Sequence, residues 1–390
     1  MELYGYQQSL KDDLDAAWHR GARHPLVQLA TGGGKTVFAA KLIEAATRAG
    51  RRVGTVMHRN ELIDQWHDAL TQTGINMRDI GALVSGRHVL PSLPAHLISV
   101  QTLSRRLEDP GIDEPDLLIT DEAHHSAARG YQDIYRMWPN ATRLGLTATP
   151  ARLDGQGLYP TYDTLVEGPT VADLIAWGKT HDRGGLSDYR ILQIPVQDRD
   201  IPVSKGDFRP GASEAVASKP RVMARVATVW RKHAQDRRTL VFAVSRRHGR
   251  LLSASLSQAG ARAAFLDGTA IGAERRTTLD AFREGHVNTL VTVDLLIEGF
   301  DVPAANCAIL ARPTKSVVIH LQQCGRVLRR SPDGLDALIL DCVGNTSELG
   351  GPASPRGWTL FGGAQNTRVE GDRRTAFDQG WAWAPPQEVT

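Results

Sequence analysis

Cysteine is scarce in these 390 residues: Cys307, Cys324 and Cys342 are the only three, far apart and without a CxxC pair. That spacing excludes a disulfide framework and a zinc ribbon, and it points to a reducing cytoplasm. No apolar run approaches the length of a membrane span, and residues 1–10 (MELYGYQQSL) lack the basic and apolar regions of a secretory leader. Histidine and cysteine nowhere gather at metal-ligand spacing, so no dedicated metal cage is expected. Aromatic residues do not interleave with basic ones, so no base-stacking platform marks itself. Neither sign of charge dominates: the net charge of +3 permits a polyanion partner without demanding one.

What is present is a soluble globular composition, 41% hydrophobic and 23% charged, in a chain too long for one ordinary domain. Short apolar runs at 25–29, 52–57, 97–100, 116–120 and 143–146 alternate with helical patterns. A second series follows at 190–196, 239–244, 262–266, 289–293, 307–310 and 337–341. This is the rhythm of parallel sheets covered by helices, with loops at the carboxyl ends of the strands. The pattern breaks across 150–168, which is dense in Pro, Gly and Asp. The expectation is two α/β domains, 1–168 and 169–345, and an irregular tail over 346–390.

The first series is organised around Leu29-Ala30-Thr31-Gly32-Gly33-Gly34-Lys35-Thr36, between an apolar strand and a helix over 35–49. Three glycines let successive backbone N–H groups converge on one anion, and the helix aims its positive end at the same point. Thr31 and Gly32 to Thr36 are therefore candidate triphosphate ligands. Lys35 supplies charge to the β/γ-phosphates and Thr36 a hydroxyl to Mg²⁺. The P-loop pattern GxxxxGK[ST] has a first glycine where this chain has Leu29.

A second apolar run ends in Asp121 and Glu122 (DLLITDEAH). In a parallel sheet that end lies beside the P-loop. Asp121 is placed to hold Mg²⁺ through water, and Glu122 to orient or deprotonate the attacking water.

With the P-loop and DEAH in place, the chain resembles superfamily 2 helicases, and further blocks arrive in that family's order. Tyr6-Gln7 resembles the Q-motif that contacts adenine, with Tyr4 where an arginine is frequent, which implies aromatic stacking on the base. Residues 57–62 (MHRNEL) resemble motif Ia and 99–103 (SVQTL) motif Ib. Leu146-Thr147-Ala148-Thr149-Pro150 reads as motif III, 241–245 (VFAVS) as motif IV, 298–303 (EGFDVP) as motif V and 322–329 (QQCGRVLR) as motif VI. Closer still, residues 149–175 and the pattern Gly344-Asn345 … Trp358-Thr359-Leu360 look like the bacterial RadD-type DNA repair helicases. That group carries a zinc segment and a long C-terminal extension, and neither is found in this sequence.

The resemblance implies two tandem RecA-like parallel-sheet domains with the ATP site in the cleft between them, and movement along DNA driven by ATP hydrolysis. It implies that Gln322, Arg326 and Arg329 complete catalysis. If 316–328 is one helix, both arginines project from one face, as a finger spreading charge off the γ-phosphoryl group. It also implies nucleotide contacts from Gly299 and Asp301, and a coupling role for His124 with Thr147 and Thr149. Strand contacts are nominated at Arg59, Thr102, Ser245 and Thr292, and a basic run adds Arg246, Arg247, His248 and Arg250. Phosphate tracking of this kind carries little sequence information. Two other readings stay open: an RNA helicase of the DEAH kind, and a nucleotide-switched clamp on nucleic acid that does not hydrolyse.

Overall fold

The computed structural model describes residues 2–58, 61–84, 90–152, 154–194, 196, 200–204, 206–270, 272–293, 305–362 and 375–377. Contacts divide them into two units. The first runs to Leu186 and takes back residues 355–362; the second holds the rest.

The first unit runs α1 (Gly5–His19), β1 (Pro25–Gln28), α2 (Lys35–Arg48), β2 (Val53–Met57), α3 (Glu61–Thr73), β3 (Ile80–Leu83), β4 (Ala95–Ser99), α4 (Val100–Leu103), β5 (Leu117–Asp121), α5 (Arg129–Met137), β6 (Thr142–Thr147), β7 (Thr164–Glu167) and α6 (Val171–Thr180). Its strands form one sheet, ordered β3-β4-β2-β5-β6-β1-β7, with every pair parallel.

Alternation along these strands builds a core on each face. Val53 and Met57 of β2, Leu117 and Ile119 of β5, and Leu144 and Leu146 of β6 join one cluster with α1, α2 and α3. Val56 and Leu118 enter another with Tyr131, Ile134 and Tyr135 of α5. The two-residue period thus puts Asp121, in step with Leu117 and Ile119, on the α3 side, and Thr120 on the α5 side. The helices bury matching stripes. On α1 the stripe is Gln7, Leu10, Leu14 and Ala17, which carries Gln7 toward the sheet one turn from Leu10. On α3 it includes Leu62, Trp66 and Leu70.

Two expectations change here. Strand β5 is not the neighbour of β1, because β6 lies between them: Asp121 is level with Leu146, and Thr147 with Gln28. The motif III residue Thr147 therefore sits on the strand between β1 and β5. The first unit also extends past residue 168, to Leu186. In the broken stretch, β7 pairs with β1 from Pro25↔Thr164 to Gln28↔Glu167. Beyond it, the Trp177 ring of α6 meets the edge of Tyr6 at 5.1 Å and lies 3.0 Å from where a Gly5 Cβ would stand.

The second unit runs β8 (Tyr189–Gln193), β9 (Val203–Ser204), β10 (Asp207–Phe208), α7 (Pro210–Ala217), α8 (Pro220–His233), β11 (Thr239–Phe242), α9 (Arg246–Gln258), β12 (Ala263–Leu266), α10 (Gly272–Glu284), β13 (Thr289–Thr292), β14 (Cys307–Leu310), α11 (Val317–Gly325), β15 (Ala337–Asp341), α12 (Asn345–Leu349) and β16 (Thr375–Phe377). Its large sheet is again all parallel, ordered β12-β13-β11-β14-β15-β8-β16. Both units thus have the parallel-sheet layout of RecA-like domains.

The described start of the tail is tied down at both units. Asp341 accepts the N–H groups of Val343, Gly344 and Thr346, which folds the chain into α12. Asn345 accepts from Thr314 N–H and donates to Arg312 O, so it braces the loop that enters α11. Residues 355–362 then return to the first unit. Leu360 is buried with Leu26, Ala123, Leu158 and Tyr162, its carbonyl accepts from Tyr159 N–H at 2.9 Å, and Gly362 bridges Gln156. The three cysteines are buried and form no disulfide among the described residues, and burial pushes the Cys307 thiol up to about 12. Among the described residues no helix is long and apolar enough to cross a membrane.

Candidate functional site

The P-loop begins where β1 ends. Leu29 N–H donates to Thr147 O at 2.9 Å, and the Leu29 side chain is fully buried in the α1–α2 core. The residue standing where the pattern has glycine therefore plugs the core, and its carbonyl lies 3.4 Å from Lys35 Nζ. Gly32 and Gly34 hold φ of +85° and +86°, a region open to glycine at little cost. A Cβ on Gly33 would come within 3.0 Å of Leu29, and one on Gly34 within 2.4 Å of Gln7 Nε2. Gly34 caps α2 without a side chain, so the first N–H groups of that helix keep their pull on an anion. Thr31, Gly32, Gly34, Lys35 and Thr36 are all half-buried around this concavity.

Gln7 braces the loop from α1. Its Oε1 accepts Tyr4 N–H at 3.0 Å, and its Nε2 donates to Gly33 O and Gly34 O, each at 3.3 Å. These bonds tie the loop to α1, and Tyr6 Oη donates to Gly33 O beside them. The ring of Tyr4 stacks against Tyr6 with centroids 5.8 Å apart, and Gly184, at φ +73°, lies against it. Trp177 and His181 extend this aromatic group, their rings parallel at 3.7 Å.

At the end of β5, Asp121 and Glu122 are both buried. Asp121 Oδ1 accepts the N–H of Glu122 at 2.9 Å, and Oδ2 accepts the indole N–H of Trp66 at 3.0 Å. Burial pushes the Asp121 carboxyl up and the charge of Glu122 adds to this; Lys35, Trp66 and the Glu122 amide pull it back. The influence of Lys35 marks the P-loop as close by. Glu122 is the one non-glycine residue among those described with positive φ, at +48°, and such a conformation costs about 1–3 kcal/mol. The turn is held from behind. Ser126 shares a hydrogen with Tyr162 at 2.7 Å, Tyr135 reaches Ser126 at 3.2 Å and Thr120 at 2.8 Å, and Ala123 packs beside Leu360. Burial first, then Tyr135, pushes Tyr162 well above the usual phenol range, so it stays a donor. The oxygens this sheet end could offer Mg²⁺ are the Asp121 carboxylate and the Thr36 hydroxyl, a small hard donor set that suits a cation held largely by water and phosphate.

His124 faces motif III. Thr147 donates its single proton to Thr149 O at 3.0 Å and accepts Thr149 N–H at 3.1 Å. His124 Nδ1 lies 3.2 Å from the same hydroxyl, within hydrogen-bonding distance. The same nitrogen lies 3.5 Å from Glu122 Oε2. His124 and Thr147 thus meet, while Thr149 contributes backbone.

In the second unit, Gln322 and Arg326 are buried and Arg329 is half-buried; burial pulls the Arg329 guanidinium below its ordinary value. The arginines do not share a helix face. Helix α11 stops at Gly325 with Arg326 as its cap, and Ser187 N–H donates to Leu328 O at 2.8 Å, drawing the chain into a turn.

Residues 1–152 match the family described as type III restriction enzyme, res subunit, and residues 218–331 match the helicase conserved C-terminal domain. A 51.5 kDa protein of a Lactococcus phage (isolate 7-9) is 32% identical over 85% of this chain and 68% of its own length. The chain belongs to the superfamily 2 helicases. A DNA 3'-5' translocase, XPB2, of Sulfurisphaera tokodaii is 25% identical over 88% of this helicase and 82% of itself. Two yeast relatives are longer, and the chain spans 56% and 57% of them. Saccharomyces cerevisiae Dbp5 bound to RNA and ADP BeF3 shares the fold, with a TM-score of 0.60 and 15% identity over 85% of this chain and 82% of that one. Family and domains make the chain an enzyme of the ATPase/helicase class.

The described strand-binding candidates fall in both units of this helicase. Thr102 and Thr292 are buried in their units, which takes both side chains off the surface. Ser245 caps α9 by accepting His248 N–H. The basic run divides: Arg246 and Arg247 are exposed, 3.5 Å from Asp267 and Glu214, and Arg250 lies over Phe265. His248 points inward, accepts Val244 N–H at Nδ1, and is held down to about 4 by burial. Arg59, Gly299 and Asp301 lie outside the described residues. Sequence reasoning missed Trp66, whose signal is its place four residues after Leu62 and four before Leu70 on the buried stripe of α3; it marked Tyr162 and Leu360 only as parts of a family pattern, without their packing behind the DEAH turn.

Proposed function

We propose that this helicase is an ATP-driven DNA translocase. The observation that carries the reading is the pairing, in one unit, of an uncapped glycine cradle with two buried carboxylates and Lys35 at the same sheet edge. Lys35 and the α2 N-terminus bind phosphate. Thr36 and Asp121 would hold Mg²⁺, whose charge neutralises the phosphate oxygens when bound. Glu122 orients a water and accepts its proton, and His124 passes the state of that turn to Thr147. In this reading Gln322, Arg326 and Arg329 serve the same reaction, as do Gly299 and Asp301.

DNA is favoured because a relative matched along 88% of the chain is named a DNA translocase. A role in DNA repair, as in the RadD-type group, is the finer form of this reading. The fold leaves the RNA alternative standing, since the structure of Dbp5 with RNA shares it. The test is ATPase activity with single-stranded DNA, duplex DNA and RNA, followed by unwinding of tailed duplexes on the best of them. Stimulation by DNA above RNA is expected. Equal or greater stimulation by RNA removes the DNA assignment, and absence of turnover with any of them leaves the clamp reading.

A further inference from the structure

Asp121 stands at a strand end, where its carboxylate would be free to turn about Cβ–Cγ. The amide of Glu122 holds one oxygen, and a single donor still permits rocking. The indole of Trp66 holds the other at 3.0 Å, from a helix that belongs to a different motif. We propose that Trp66 is the positioning residue for the divalent cation of this site, locking the Asp121 plane so that metal-bound water meets a lone pair already aimed. The inference rests on the reading that Asp121 holds Mg²⁺ through water.

Three properties suit the indole to this work. It is a donor only, so it cannot compete for the protons of metal-bound water. It is neutral, so it orients the carboxylate without cancelling the charge that attracts a cation, as lysine or arginine would. It is rigid and buried, seated in the same core as Leu62, Ile63 and Leu70. Partners that orient a ligand from behind typically matter about 10–100-fold in metal affinity. The competing account is that a buried indole N–H needs some acceptor and Asp121 is merely the nearest. The two accounts differ in what removal of the N–H does to the metal alone.

The experiment uses the full chain carrying Glu122→Gln, so that nucleotide is not consumed. Affinity for a fluorescent ATP analogue is measured in EDTA and in excess Mg²⁺, and the ratio of the two is the metal's contribution. Trp66→Phe and Trp66→Met each remove the donor while filling the seat. Both should leave binding in EDTA within twofold of the parent and lower the Mg²⁺ ratio about tenfold. Leu70→Ala, on the same buried face, should lower the melting temperature and leave the ratio intact. An unchanged ratio in both Trp66 variants overturns the assignment, as does an equal loss with and without Mg²⁺. If Asp121→Asn also leaves the ratio unchanged, the reading of Asp121 has failed, and the role of Trp66 falls with it.

Discussion

Substituting Gly34 by alanine attacks the P-loop twice. The backbone there holds φ +86°, which costs an L-residue about 1–2 kcal/mol. The new methyl would also stand 2.4 Å from Gln7 Nε2. A flexible amide could step aside cheaply, but this one is fully buried and makes hydrogen bonds to Tyr4, Gly33 and Gly34. Displacing it forfeits at least one net bond, about 1–2 kcal/mol. Gly34→Ala should therefore cost about 2–4 kcal/mol and lower the first unit's melting temperature by about 5–10 °C. In a Gln7→Ala background the collision is gone and only the backbone term of about 1–2 kcal/mol remains. Calorimetry of the four proteins without nucleotide closes the double-mutant cycle. A coupling of about 1–2 kcal/mol supports the brace. Additivity within about 0.5 kcal/mol would refute it.

Glu122→Gln should abolish turnover while ATP still binds; undiminished hydrolysis removes Glu122 from the reaction. Leu360→Ala should destabilise the first unit by about 2–4 kcal/mol, because it empties a seat against Ala123 and Tyr162, and an unchanged melt would place residues 355–362 outside its core. His248, held down to about 4 from 6.5, makes the fold lose stability as pH falls through that window, since the unfolded chain takes up the proton first. The loss is about 2 kcal/mol at pH 5, and His248→Gln should flatten it in denaturant titrations at pH 7 and pH 5. Raising salt from about 50 to 200 mM should weaken nucleic-acid binding steeply, and a flat response in a binding titration contradicts phosphate tracking.

Much of the framework was legible from local pattern. The strands at Cys307–Leu310 and Ala337–Asp341 and the helix following Gly34 fall where apolar periodicity puts them, because buried parallel strands are unbroken runs of Val, Ile and Leu. Less legible was the stretch 150–168, where proline and glycine hid a strand whose partner is β1, more than a hundred residues earlier. Helix α11 was expected to reach Leu328; it stops at Gly325, and the chain beyond runs in turns whose Leu328 carbonyl is taken by Ser187 N–H, a contact no local pattern records. The run Arg246 to Arg250 looked uniform in composition, yet helical geometry turns its histidine inward and its arginines outward.

By itself the sequence determined which chemical groups this helicase has to work with. A glycine cradle with lysine and threonine, a carboxylate pair at a strand end, and the order of the remaining motifs are all local in the chain, and local spacing is what sequence records. Tertiary structure alone decided what holds them. Gln7 braces the P-loop from α1, and Trp66 grips Asp121 from another helix. Residues that seemed an irregular tail come back to wall in the DEAH turn. Each of these is a contact between segments distant in the chain, set by which side chains share a sheet face once the strands have paired.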